Sequence, residues 1–170
     1  MTDNFYNLKN DLQTYNEVRD IVYSSNRWSI RHPKSPVIGI AIPIEILLKD
    51  LSFSTIHKEY KSFMNQPVVF KWDPYTQYDW HTDGTRGCAL NLLIDLVPSY
   101  TIFKTDSRGT KGVDYIYHYE VAEYQEKKFN LLNVKHEHSI INFESTRYIL
   151  SAGIMKSFRE VKEFCIVNNL

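Results

Sequence analysis

A series of short β-strands in the second half of the chain constrains the fold more than any other feature. From Pro67 onward, segments rich in Val, Ile, Tyr and Phe alternate with short polar breaks. These breaks contain turn-forming residues, such as Asp73-Pro74 and Gly84. The pattern predicts eight strands, over residues 68–72, 78–83, 87–95, 100–104, 113–121, 129–134, 137–142 and 147–154. Many short strands in series favour a β-sandwich or β-barrel.

The residues before Pro67 predict helices instead. A first helix is expected after an N-cap at Asp3 or Asn4, because apolar residues then recur at helical spacing, at positions 5, 8, 12, 15 and 18. Pro43 suits the first position of a short helix. Ser54 or Thr55 is expected to open another helix, whose buried stripe would be Ile56, Tyr60, Phe63 and Met64.

The two ends of the chain frame the β core. Residues 26–36 are predicted as a loop, and Ser157-Phe158-Arg159-Glu160 is a capping-box pattern that opens a last helix. The buried face of that helix would be Phe158, Val161, Phe164 and Cys165. We therefore expect a single domain over 1–170, with a helical N-terminal layer (1–66), a β core (67–156) and a C-terminal helix (157–170).

Composition narrows the class of protein. A chain of 170 residues, 43% of them hydrophobic, is long enough to bury a substantial core. Its 20 basic and 20 acidic residues balance, which argues against a nucleic-acid binder held by a general basic field. The two cysteines, Cys88 and Cys165, form no disulfide framework, and the most apolar run, 37–48, is too short to span a membrane. We expect a soluble, cytoplasmic protein without nucleic-acid or membrane partners.

A possible metal site centres on His81 and Asp83. Side chains two residues apart on a strand point to the same face, and Gly84 lets the chain turn directly after them. A third ligand is available from His138, although His136 shares its strand face and could take its place. Two histidines and one carboxylate leave coordination positions open, as in non-haem Fe(II) oxygenases. Zinc would also bind such ligands.

Arg147 is the candidate partner for a carboxylate beside that metal. It follows His138 by nine residues, and the intervening 143–146 segment is predicted to be a hairpin connection that returns the strand alongside. A guanidinium group matches a carboxylate with two parallel hydrogen bonds. If Arg147 faces the pocket, Ile149 and Ser151 face it too.

These motifs together resemble those of the Fe(II)/2-oxoglutarate-dependent dioxygenases, in their small prolyl-hydroxylase-like branch. The matching segments are His81-Thr82-Asp83, His138-Ser139-Ile140-Ile141-Asn142 and Arg147, with Tyr78-Asp79-Trp80, 88–93 and Leu131-Leu132-Asn133 flanking them. The resemblance covers about residues 67 to 156. It implies a double-stranded β-helix (jelly-roll, cupin-like) core of about eight strands. The expected fold is thus mainly β, with N-terminal helices and a short C-terminal helix.

The resemblance also implies an activity. His81, Asp83 and His138 would form the catalytic centre by holding Fe(II), and O2 and 2-oxoglutarate would be the cosubstrates. The far carboxylate of 2-oxoglutarate would pair with Arg147. Oxidative decarboxylation of 2-oxoglutarate to succinate and CO2 would accompany hydroxylation of a C–H bond. Because related halogenases lack the carboxylate, Asp83 favours hydroxylation over halogenation.

Other contacts and the substrate stay open at this point. Tyr75, Tyr78 and Asn91 are candidates for binding the cosubstrate. Ile149 stands where many relatives carry a serine, so the second carboxylate contact is absent or comes from another residue. The substrate is a small molecule or a peptide: a peptide residue, an amino acid or a small metabolite. Alternatives are a non-catalytic cupin-type protein that binds a metal or a small acid, and a zinc-dependent enzyme on the same barrel. The sequence indicates no oligomeric state.

Overall fold

Two antiparallel β-sheets and four helices make up the described part of the computed structural model, residues 4–30, 37–60, 66–108 and 116–170. The seven-stranded sheet has the order β1-β9-β6-β11-β4-β3-β2, and the four-stranded sheet the order β5-β10-β7-β8. The elements are β1 (Phe5–Asp11), α1 (Tyr15–Ser24), β2 (Ser29–Ile30), β3 (Ile38–Ala41), α2 (Ile44–Leu47), α3 (Leu51–Tyr60), β4 (Val68–Trp72), β5 (Gln77–His81), β6 (Cys88–Ile94), β7 (Ser99–Arg108), β8 (Ile116–Val121), β9 (Lys128–Leu132), β10 (His138–Asn142), β11 (Arg147–Ile154) and α4 (Phe158–Val167).

The expected fold class is confirmed. Each of the eight predicted strands corresponds to one of β4 to β11, and two facing antiparallel sheets give a jelly-roll-like core. The start of the predicted strand 113–121 lies outside the described residues. Three further strands, β1 to β3, extend the seven-stranded sheet at its two edges. Among the described residues, no helix combines the length and apolarity that a membrane span requires.

The larger sheet has two faces of different character. Alternate residues of a strand point to opposite faces, and one set, on β6 and β11, packs into the main core with the helices: Cys88, Leu90, Leu92, Ile94, Leu150, Ala152 and Ile154. The intervening set, which includes Asn91, Ile149 and Ser151, lines a cavity shared with the smaller sheet. One face of the sheet therefore stabilises the fold, and the other is available for a site.

The prediction of a helix from residue 5 is wrong in its first half, because residues 5–11 form β1. Phe5 belongs to the apolar cluster between the sheets, and Leu8 to the core on the helix side. Because β1 buries residues on both of its faces, its apolar residues recur at a spacing similar to that of a helix. β1 pairs with β9 along that strand's free edge. The N-terminal layer is therefore not helical throughout.

The other helices agree better with expectation. α3 begins at Leu51, earlier than predicted, because Asp50 Oδ1 accepts a hydrogen bond from Phe53 N at 2.8 Å. Ile56 and Tyr60 are buried as expected, whereas Phe63 and Met64 lie outside the described residues. α2 follows Pro43 directly. In α4, Ser157 caps the helix, with Phe158, Val161 and Cys165 buried and Phe164 partly buried.

The predicted loop and hairpin need correction as well. Part of the 26–36 segment forms β2, which pairs with β3, while residues 31–36 lie outside the described part of the chain. The 143–146 segment is not a hairpin connection. It crosses from β10 in the smaller sheet to β11 in the larger one. Arg147 therefore approaches the site from the sheet opposite His138.

Candidate metal centre

His81, Asp83 and His138 lie together at one end of the space between the sheets. One possible ligand atom from each residue lies within 4.8 Å of the others. The two histidines are cross-strand neighbours on β5 and β10, with ring centroids 4.2 Å apart. Asp83 follows the end of β5 and is held by its backbone N–H, which donates to Val134 O at 2.9 Å. The three side chains could thus hold one metal ion.

Backbone hydrogen bonds orient both imidazole rings. His81 Nδ1 lies 2.7 Å from Asp79 O, and His138 Nδ1 lies 2.9 Å from His136 O. A carbonyl only accepts, so Nδ1 carries the proton in each ring and Nε2 presents a lone pair. Burial lowers the pKa of His138, the largest effect on it, and the proximity of His81 adds to this. Both effects favour the neutral imidazole that metal binding requires.

His136 is not placed to replace His138. It lies in the turn before β10, and its Nε2 contacts the backbone oxygen of Lys104. It is absent from the group of side chains that could share a metal ion. The ambiguity between the two histidines is thereby reduced in favour of His138.

A cavity of about 280 Å³ adjoins the three side chains. Both sheets contribute to its lining, which includes Trp72, Tyr78, Asn91, Ile140, Ile149 and Ser151. The Tyr78 ring stands edge-on to His81, with centroids 4.3 Å apart. Asn91 Oδ1 is buried without a hydrogen-bond partner among the described residues. Tyr78 and Asn91 thus both line the cavity next to the three possible metal ligands.

Tyr75 is not brought together with these residues. Its side chain is 76% exposed, and it does not line the cavity. It lies in the turn before β5 with a φ of 57°, a backbone region where single turn residues occur. The turn directs it away from the position expected of a cosubstrate contact.

Arg147 is fully buried beside the cavity but does not line it. Its Nη2 donates to Thr101 Oγ1 at 3.0 Å and to Tyr124 Oη at 3.3 Å, and Nη1 donates to Tyr100 O at 3.4 Å. Its Cζ lies 5.7 Å from the ring centroid of Trp72, the cross-strand neighbour that does line the cavity. Burial lowers the pKa of Arg147, because desolvation disfavours the charged form.

Two donors in this region lack an acceptor. Arg147 Nε and Trp72 Nε1 are both buried with no hydrogen-bond partner among the described residues. No carboxylate among the described residues pairs with Arg147. A buried charge without an opposite charge beside it is costly. A guanidinium group in such surroundings can hold a carboxylate. The donor set beside the cavity is therefore compatible with one end of a dicarboxylate such as 2-oxoglutarate.

Arg86 is a further charged residue at the site, which the sequence motifs did not single out. Its Nη2 forms an ion pair with Asp83 Oδ2 at 2.6 Å, and its Nη1 donates to Ser151 Oγ at 3.0 Å. Asp83 Oδ1 faces His81 Nε2 at 3.9 Å. One carboxylate oxygen is thus held by Arg86, and the other is directed towards the histidines.

Solved oxygenase structures share this architecture. A prolyl-4-hydroxylase from Pseudomonas putida matches with a TM-score of 0.58 and 12% identity, over 91% of this chain and 94% of that one. A second match is a prolyl hydroxylase from Trichoplax adhaerens, in complex with a peptide fragment of the hypoxia inducible factor oxygen degradation domain. It has a TM-score of 0.62 and 12% identity, over 94% of this chain and 87% of that one. The non-heme alpha ketoglutarate dependent epimerase SnoN, from nogalamycin biosynthesis, matches with a TM-score of 0.61 and 11% identity, over 91% of this chain and 77% of that one.

The likeness lies in structure rather than in sequence. No protein-family model and no curated protein matches the chain. At identities of 11% to 12% the solved structures show the fold alone. The two sheets, their connections and these matches agree: this chain has the fold of the 2-oxoglutarate–Fe(II) oxygenase superfamily.

Proposed function

We propose that the protein is an Fe(II)- and 2-oxoglutarate-dependent dioxygenase that hydroxylates a C–H bond. The observation that carries this proposal is the convergence of His81, Asp83 and His138 on a cavity, with a buried and uncompensated Arg147 beside it. A metal centre with open positions and a cation at a distance suit a chelating dicarboxylate. The cytoplasmic location expected from the sequence remains a prediction.

The chain's own residues would hold and orient the reactants. His81 and His138 would bind iron through Nε2, since each Nδ1 donates to a backbone oxygen. Asp83 would bind through Oδ1, while Arg86 retains Oδ2. Bound iron and 2-oxoglutarate would together supply the oxidative chemistry. The presence of a carboxylate at position 83 favours hydroxylation as its outcome.

Arg147 would bind the far carboxylate of 2-oxoglutarate. Ile149 offers no hydroxyl group, so a second contact to this carboxylate, if there is one, comes from another residue. Trp72 Nε1 is suited to this, because it is buried beside Arg147 and has no acceptor among the described residues. Tyr124 Oη and Thr101 Oγ1 already lie within hydrogen-bond distance of the guanidinium. A shift of the Trp72 ring would admit the carboxylate to this group of donors.

An anaerobic titration tests the proposal. Iron-loaded protein is titrated with 2-oxoglutarate, and the weak visible charge-transfer band of the chelate is recorded. We expect the band in the wild-type protein and in His136→Ala, and its loss in His138→Ala. Circular dichroism of each variant establishes that the fold is retained. Folded, iron-loaded protein without the band would contradict the dioxygenase proposal.

The same preparation separates the alternatives. Zinc can use the same three ligands, so tight zinc in protein purified without oxygen would favour a zinc-dependent enzyme. Iron binding and the band, without succinate formation under oxygen, would favour a binding protein of cupin type. The peptide bound to the Trichoplax adhaerens neighbour keeps a peptide substrate in view beside an amino acid or a small metabolite.

A further inference from the structure

A second cavity lies on the other side of Arg86. Its volume is about 450 Å³, and it shares Phe70, Arg86 and Ser151 with the cavity at the metal centre. Arg86 thus stands where the two spaces meet, next to the proposed metal ligand Asp83. A molecule in the second cavity would reach the metal centre past this guanidinium group.

The position of Arg86 depends on a glycine. A Cβ atom on Gly153 would lie 2.2 Å from Arg86 Cδ and 2.8 Å from Arg86 Cγ, so the side chain crosses β11 where that strand has no side chain of its own. Ser151, two residues earlier on the same face, accepts its hydrogen bond. Two alternate residues of one strand therefore seat the guanidinium group at the junction.

The described residues that line the second cavity carry charge of one sign only. Arg86 is the one ionisable side chain among the described residues that line it. Val68, Phe70 and Met155 provide apolar surface, and Gln66 and Thr85 provide neutral polar groups. Such a lining suits a molecule with a short hydrocarbon part and an anionic end.

Charge balance in the loaded site points the same way. Among the described residues, Asp83 is the carboxylate that pairs with Arg86. A divalent ion, Arg147 and Arg86 would together carry four positive charges, and Asp83 and 2-oxoglutarate would carry three negative ones. One positive charge would therefore remain in excess although Arg86 keeps its contact with Asp83 Oδ2, and in a partly buried site such an excess favours a further anion.

We propose that the second cavity binds the substrate, and that this substrate is a small molecule of amino-acid size whose carboxylate pairs with Arg86. This inference rests on the proposed dioxygenase function, since it concerns the substrate of that same metal centre. The apolar residues would hold the hydrocarbon part, and the cavity that adjoins the metal would receive the C–H bond to be oxidised.

The test compares acids with their neutral counterparts. Iron- and 2-oxoglutarate-loaded protein, kept anaerobic, is titrated with L-leucine, L-proline and L-methionine and with the carboxamide of each. Calorimetry gives the affinity, and the change in the chelate band reports proximity to the metal. We expect at least one acid to bind at least about tenfold more tightly than its amide, as a lost charge-assisted hydrogen-bond pair predicts.

Three variants assign that preference to Arg86. Arg86→Gln should abolish it, and Arg86→Lys should retain part of it, because the charge remains while the planar fork is lost. Gly153→Ala should reduce it as well, by displacing the Arg86 side chain without a change of charge. The matched control is Arg159→Gln, an arginine on the exposed side of α4, which should keep the wild-type preference.

The outcomes separate this inference from the one on which it rests. Wild-type protein without the chelate band would overturn both. Protein with the band that binds none of the acids, or binds acids and amides equally, would overturn this inference alone. So would a preference that survives in both Arg86→Gln and Gly153→Ala while their chelate bands remain.

Discussion

Arg147 is a buried cation whose described partners are all neutral. Two hydroxyl groups and one backbone carbonyl accept its hydrogen bonds, and the aromatic rings of Trp72 and Tyr124 lie within 5.7 Å and 5.5 Å of its Cζ. Such contacts orient a guanidinium group without neutralising it. A residue held in this way is prepared for an anion, and this distinguishes it from an arginine in a structural ion pair.

Arg147→Lys is expected to weaken 2-oxoglutarate binding by about tenfold or more, or about 1.4 kcal/mol. Lysine keeps the charge but cannot present two parallel N–H groups to a carboxylate. The measurement is the 2-oxoglutarate titration of the chelate band in iron-loaded protein, with Arg159→Lys as the control. An unchanged affinity in a folded variant would remove Arg147 from this role.

Trp72→Phe tests the second contact to the same carboxylate. The change removes the indole N–H but leaves an aromatic ring beside Arg147. We expect the affinity for 2-oxoglutarate to fall about fivefold, as the loss of one hydrogen bond of about 1 kcal/mol predicts. The substitution removes no hydrogen bond from the free protein, because this buried N–H has no acceptor among the described residues.

Trp80→Phe is the matched control for that experiment. Trp80 stacks on Tyr119 at 5.6 Å and does not line the cavity, so its replacement should leave the affinity unchanged. Equal effects of the two substitutions would show that Trp72 makes no specific contact. A downfield shift of the Trp72 indole proton on 2-oxoglutarate binding to zinc-loaded protein would give independent support.

Residues that belong to a local pattern could be predicted, and residues that the fold assembles could not. His81 and Asp83 share a short motif, and His138 follows in a separate strand. Arg86 and Trp72 have no such signature. Arg86 reaches the site because Gly153 leaves room for its side chain. Trp72 reaches it because the register of β4 and β11 places it opposite Arg147. A glycine in a strand was the one signal of a close approach.

Among the elements, α4 offers the clearest test of local sequence logic. Ser157 Oγ accepts a hydrogen bond from Glu160 N at 3.3 Å, whereas the Glu160 side chain pairs with Lys156 instead of completing the capping box. Ser157→Ala should lower the free energy of unfolding by about 1 kcal/mol. Arg159→Ala, which removes an exposed ion pair with Glu163, should change it much less in the same denaturant titration. Equal changes would contradict the capping role.

The N-terminal elements show where pattern reading fails. β1 buries residues on both faces, so its apolar spacing lacks the period of two that identifies a half-buried strand. The partner that makes it a strand, β9, lies more than a hundred residues further along the chain. By contrast, β4 to β11 were predictable because turn residues separate them and β-branched or aromatic residues fill them.

At the scale of the whole molecule, the two cysteines report on global unfolding. Cys88 on β6 and Cys165 on α4 are both fully buried in the main core, and burial raises the pKa of each thiol to about 12. Neither should react with a thiol reagent at mildly alkaline pH until the core opens. Labelling measured against guanidinium concentration should follow the unfolding transition. Rapid labelling in native conditions would contradict this packing.

The division of the larger sheet into two faces limits how the chain can change. Along β11, Arg147, Ile149 and Ser151 alternate with Leu150, Ala152 and Ile154, which pack into the main core. Inserting a single residue into this strand would exchange the two sets, so that leucine faces the cavity and polar groups face the core. Stability and the proposed binding of a cosubstrate would be lost together. β11 can therefore diverge in its side chains but not in its length, and insertions or deletions are expected in the loops that flank it.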